Sequence, residues 1–98
     1  IYIMALNNVE TQLQKAIEMK GTVQEFAAVL QQKMSALYDT LQYSVQAGFP
    51  SDIADTYTAN YYAPDNEIIE ELSKKMRTEH VNFLDEVIAD LTRAKNRQ

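Results

Sequence analysis

Along the first half of the chain the apolar positions recur three and four residues apart. They are Leu6, Val9, Leu13, Ala16, Val23, Ala27, Leu30, Met34, Leu37 and Leu41, with Lys20 in one slot of the series. That spacing turns successive side chains to one side of an α-helix, and over several heptads it describes a coiled-coil-like seam. It predicts a first helix over about 5–47, stopped by Gly48-Phe49-Pro50. One interruption is built in at Gly21, because Thr22-Val23-Gln24-Glu25 has the form of a capping box. A helix can therefore end at Lys20 and another start at Val23. Against a break, the seam keeps its phase across Gly21, and an interior glycine costs only about 1 kcal/mol relative to alanine. A continuous or kinked helix and a broken one both stay open.

After the stop, Ser51-Asp52 offers a serine N-cap and an acid in the first turn. Ile53, Tyr57 and Tyr61 follow four apart, which predicts a short connecting helix over about 52–61. Ala63-Pro64-Asp65-Asn66 closes it and opens a last helix over about 66–95. The stripe of that helix reads Ile69, Leu72, Met76, His80, Phe83, Val87, Leu91 and Ala94, widened by Ile68, Leu84 and Ile88. Acids early in it (Asp65, Glu67, Glu70, Glu71) and bases late in it (Arg93, Lys95, Arg97) suit the helix dipole. The expected fold is all-α: an antiparallel hairpin of long helices with a short connecting helix, a three-helix arrangement forming a single helical domain over 1–98. Two helices alone have too few faces to enclose a core. Either the chain bends at Gly21 into a compact three- or four-helix bundle, or two hairpins pair into a four-helix bundle; pairing is the favoured expectation, with Ile17, Met19, Phe26, Tyr38 and Val45 as the second layer.

Composition narrows the function. Ninety-eight residues with 46% hydrophobic content fit one folded domain rather than a disordered chain. A net charge of −5 argues against nucleic acid, whose phosphates need a basic surface. No cysteine is present, so disulfides and thiolate metal sites are excluded. The first six residues, Ile1-Tyr2-Ile3-Met4-Ala5-Leu6, lack the length and basic flank of a signal peptide, and no run approaches a membrane span. A cytoplasmic location is the resulting expectation, with export lacking a cleaved signal as the other route.

Candidate chemistry is sparse. Di-iron bundles need inward glutamates and two Glu-x-x-His pairs, whereas this chain has one histidine and carries Arg77 three before it. Ser44, Ser51 and Ser73 sit in ordinary helical or capping contexts, and Gly21 and Gly48 stand alone rather than in a phosphate cradle. No enzymatic activity, no cofactor and no metal are expected. His80 falls on the apolar stripe between Met76 and Phe83, where it is either a hydrogen-bonded core imidazole or a pH-sensitive element whose charging loosens the packing. Met19, Met34 and Met76 read as core filler, or as an adaptable binding groove.

Aromatic residues supply the one oddity. Tyr38 and Tyr43 end the first helix, Phe49 occupies the turn, and Tyr57, Tyr61 and Tyr62 crowd the connector. These rings either plug the open end of the hairpin or form a partner-binding patch of Tyr43, Phe49, Tyr57, Tyr61 and Tyr62. In size and outline the chain resembles the WXG100 (ESAT-6-like) secreted helical hairpins. Those proteins carry a Trp-x-Gly turn and a Tyr-x-x-x-Asp/Glu element. Here the turn is Gly48-Phe49-Pro50, tryptophan is absent, and no such tyrosine element follows His80. The function expected is a helical protein–protein interaction module, adaptor- or chaperone-like, whose partner is a second copy (a homodimer) or another helical protein. Its alternatives are a secretion-linked hairpin of that outline and, more remotely, a small-molecule-binding bundle.

Overall fold

Helix formation dominates the computed structural model, which describes residues 8–97. Among them there is no strand. Helix α1 runs Val9–Gln46, and the chain from Ser51 to Asn96 is a second continuous helical run. The run comprises α2 (Ser51–Tyr57), a π turn (Thr58–Tyr62), α3 (Ala63–Lys75), a second π turn (Met76–His80) and α4 (Val81–Asn96). Leu6, assigned to the seam, lies outside the described residues.

Helix α1 passes through Gly21 without a break. It stops where the chain must reverse. Gly48, at φ 112°, takes the left-handed conformation that glycine tolerates. The Gly48 N–H then donates to the Val45 carbonyl (3.1 Å), and that of Phe49 donates to Ser44 (2.8 Å). These two bonds form a Schellman cap that satisfies carbonyls the helix end would leave orphaned. Pro50, rather than Ser51, occupies the N-cap of α2, its carbonyl accepting from Ala54 (3.1 Å). Its ring presets φ at −58°, so Ser51 becomes the first helical residue.

The separate connecting helix over 52–61 is corrected, because the helix does not end at Ala63-Pro64. Pro64 has no N–H to give, and in a regular helix its ring strikes a carbonyl one turn back. The π turn lies immediately before it, with Ala63 donating to Thr58 five residues back. Widening the turn lets the helix pass the proline rather than stop. The second π turn has a different cause. From Arg77 to His80 every side chain is polar, so a regular turn after Met76 would carry Glu79 or His80 inward. Burying a charged or unpartnered polar group is costly. Val81 instead donates to Met76, five residues back, and its own side chain takes the buried position.

The chain divides into two compact units. In the first, residues 8–26 lie antiparallel to 75–97. Its core is Val9, Ala16, Met76, Val81, Leu84, Leu91 and Ala94. Lys20, the polar slot of the seam, is part-buried and pairs with Asp85 (2.7 Å), and Lys95 pairs with Glu10 (3.3 Å). In the second unit, residues 27–46 lie antiparallel to 51–74. The residues it buries are small: Ala27, Ala54 and Ser73. Leu37, assigned to the seam, is exposed there, with the ring of Tyr62 lying on the neighbouring Tyr38.

Candidate functional site

Large apolar side chains remain exposed in both units, Ile17, Met19, Phe26 and Val29 on α1 among them, and those of the second helical run follow a register rule. In the second unit, Ala54, Thr58, Tyr62, Asn66, Ile69 and Ser73 are buried or half-buried. Ile53, Tyr57, Tyr61, Ile68 and Leu72 each stand one position earlier, and all are exposed. On a helix one position is a rotation of about 100°, so these side chains form a flank beside the packed stripe. Asp65 interrupts the flank, and Asp52, Glu67 and Glu71 border it.

The aromatic residues divide between structure and surface. Tyr62 donates its hydroxyl to the Met34 carbonyl (3.1 Å) and packs at a tilt against Tyr38 with centroids 5.7 Å apart, tying the two helices together. Tyr57 and Tyr61 pair on a single helix, centroids 5.8 Å apart, and face outward. Tyr43 and Phe49 are also exposed. Of the five residues expected to form a patch, Tyr43, Phe49, Tyr57 and Tyr61 are exposed, while Tyr62 is half-buried between the helices.

In the first unit the same register exposes Phe83, one position before the buried Leu84. With Met19 it lines an open groove of about 430 Å³ between α1 and α4, whose walls include Lys15, Ala16, Val87 and Leu91. The groove continues past Val23 to Lys75, Glu79 and His80. Phe83 is 61% and Met19 56% exposed, large values for side chains of this apolarity. Lys20 and Asp85 line none of it.

His80 is exposed at the groove rim, not buried in a core stripe. The second π turn moved it out by one position, and Phe83 with it. The buried imidazole that a pH-sensitive core needs is therefore missing. Sequence reasoning also passed over Ser73, which is fully buried and donates to the Ala27 carbonyl (2.9 Å). Its spacing from Ile69 and Met76 was a fair signal, but the adjacent Leu72 masked it. Gln12 Oε1 is likewise buried, with no hydrogen-bond partner among the described residues.

Charge separates the two units sharply. The first holds seven acids and seven bases, whereas the second holds seven acids and two bases, so the whole net charge of −5 resides in the second. Among the described residues, no three of His, Asp and Glu gather as a metal site, and no helix is long and apolar enough to cross a membrane. No known protein family, curated relative or solved structure matches the chain.

Proposed function

We propose that this chain is a non-enzymatic helical interaction module that docks an amphipathic helix, its own copy's or another protein's, in the manner of an adaptor or chaperone. One observation carries the reading: each unit leaves a run or pair of large apolar side chains exposed one position ahead of its packed stripe. Burying such surface is the main favourable term in association, at roughly 25 cal/mol per Å² before the costs of binding. Aromatic side chains on a helical scaffold add contact area with little loss of rotamer freedom. Helix-in-groove recognition reads anchors three, four and seven positions apart, and Tyr57, Tyr61, Ile68 and Leu72 have that spacing. Charge then selects the occupant of the acidic second unit, favouring a helix edged with lysine or arginine.

Site-specific photo-crosslinking in the full chain tests the reading. A photoreactive residue at Tyr61 or Phe83 is expected to capture one defined protein species. The same group at Asp55 or Ala89, exposed on other sides of their helices, is expected to capture little. Equal yields at all four positions would sink the proposal.

A further inference from the structure

We infer that the exposed flank of the second unit takes a basic amphipathic helix of another protein, its lysines and arginines gathered toward one end. This rests on the helix-docking function proposed above and names the occupant of one of its surfaces. Residues 34–73 carry all seven acids of the unit and no base, leaving Lys33 and Lys74 as its only cations.

These acids have a fixed place beside the flank. Acid, exposed apolar and packed positions follow in that order at Asp52-Ile53-Ala54, Glu67-Ile68-Ile69 and Glu71-Leu72-Ser73. Each step rotates about 100°, so the packed position lies on one side of the flank and the acid on the other, away from α1. The order is the same before and after the π turn at Thr58–Tyr62, so the acids share one edge. Asp65 adds a carboxylate within the flank itself. Asp52, Asp65 and Glu67 have no base within one turn of sequence, and none of the three enters an ion pair among the described residues.

From Ile53 to Leu72 the flank is about 28 Å long, roughly five turns of an occupying helix. One edge of that occupant passes over the acids. There, lysine or arginine stems can cover Ile68 and Leu72 while their charged heads reach Asp65, Glu67 and Glu71. These three acids stand at the α3 end, whereas the α2 end offers Tyr57, Tyr61 and, on the edge, only Asp52. An occupant basic at one end and apolar at the other matches both ends. A second copy does not. Its stretches with more than one base and no acid, 72–78 and 91–98, are only about two turns long, and Arg93 and Lys95 already pair with Asp90 and Glu10. Nucleic acid and anionic lipid surfaces are repelled by the same carboxylates.

Fluorescence anisotropy with the full chain and labelled helical peptides of about 20 residues tests the inference. One peptide carries leucines three and four apart with lysines along one edge of one half, and its control replaces those lysines by glutamates. The lysine peptide is expected to bind at least about tenfold more tightly, with a preference that shrinks as salt rises. Asp65→Lys combined with Glu67→Lys should abolish the preference, whereas Asp52→Lys should weaken binding by about twofold or less. Leu72→Ala should weaken the lysine peptide by roughly three- to tenfold, Phe83→Ala in the other unit should not, and circular dichroism should show every variant helical. Equal binding of the two peptides, a preference that survives the double substitution, or indifference to a helical Leu72→Ala variant would each overturn the inference. So would a photoreactive group at Tyr61 that captures a second copy in place of the lysine peptide. Equal binding that Leu72→Ala weakens would overturn the basic partner alone and leave helix docking standing. If neither peptide binds and Tyr61 captures no protein, both readings fall.

Discussion

The two units solve the same problem, antiparallel helix pairing, with different materials. The first inserts branched and long apolar side chains between its helices, with Leu91 and Leu84 at the centre and ion pairs such as Lys20–Asp85 and Glu10–Lys95 at its edge. The second buries two alanines and a serine, and ties its helices with hydroxyls donated to backbone carbonyls: Ser73 to Ala27 and Tyr62 to Met34. Small buried residues let helices pack without filling the space between them with large side chains. Several large apolar side chains of the second unit, Ile53, Ile68 and Leu72 among them, accordingly stay on its surface. The contrast teaches that helix pairing here uses little of the apolar content that the sequence supplies. What remains outside is available to a partner.

This contrast predicts a ranking of mutational effects. Leu91→Ala removes a side chain only 2% exposed and is expected to cost about 2–5 kcal/mol, enough to unfold much of a chain this small. Leu72→Ala, on an exposed flank, should cost well under about 1 kcal/mol. Urea denaturation checks both, and comparable losses would erase the distinction between packed stripe and exposed flank.

Ser73→Leu should be the most damaging change to the second unit, at about 1–3 kcal/mol, because a larger side chain is forced against Ala27. Ser73→Ala removes only the hydroxyl, for about 1 kcal/mol, since the Ala27 carbonyl keeps its helical bond. Hydrogen exchange at 27–34 and 66–74 should register both losses locally. If Ser73→Leu instead stabilised the chain, close packing would not be what holds this unit.

Tyr62→Phe deletes a donor that crosses between helices and should lower stability by about 0.5–1.5 kcal/mol. Tyr61→Phe should fall within about ±0.5 kcal/mol. Equal melting temperatures for the two variants would return Tyr62 to the exposed patch. The two glycines should respond with opposite signs. Gly21→Ala meets no atom within 4 Å and should stabilise by about 0.5–1 kcal/mol. Gly48→Ala also meets open space but must hold φ at 112°, so it should destabilise by about 1 kcal/mol or more.

Much of this architecture was legible from spacing. The α1 seam from Val9 through Met34 is buried or half-buried as its three-four pattern required, down to the part-buried Lys20. The stop at Gly48 was legible too, because few other residues adopt that backbone conformation. The candidate surfaces were legible only in part. Tyr57 and Tyr61 were named on composition, whereas the Met19–Phe83 groove was not, because Phe83 had been assigned to the core.

The amino-acid sequence by itself determined that the chain is helical, where α1 ends, and which face of α1 packs. Each of these depends on local sterics or on a single unambiguous apolar period. It did not determine which of two adjacent stripes on the second helical run would be buried, since Leu72 and Ser73, or Phe83 and Leu84, stand side by side. Tertiary packing chose, by widening two turns by one residue each. A π turn weakens helix hydrogen bonding locally and is retained only when the facing helix rewards the shift, so the choice depends on contacts between distant segments that no local window contains.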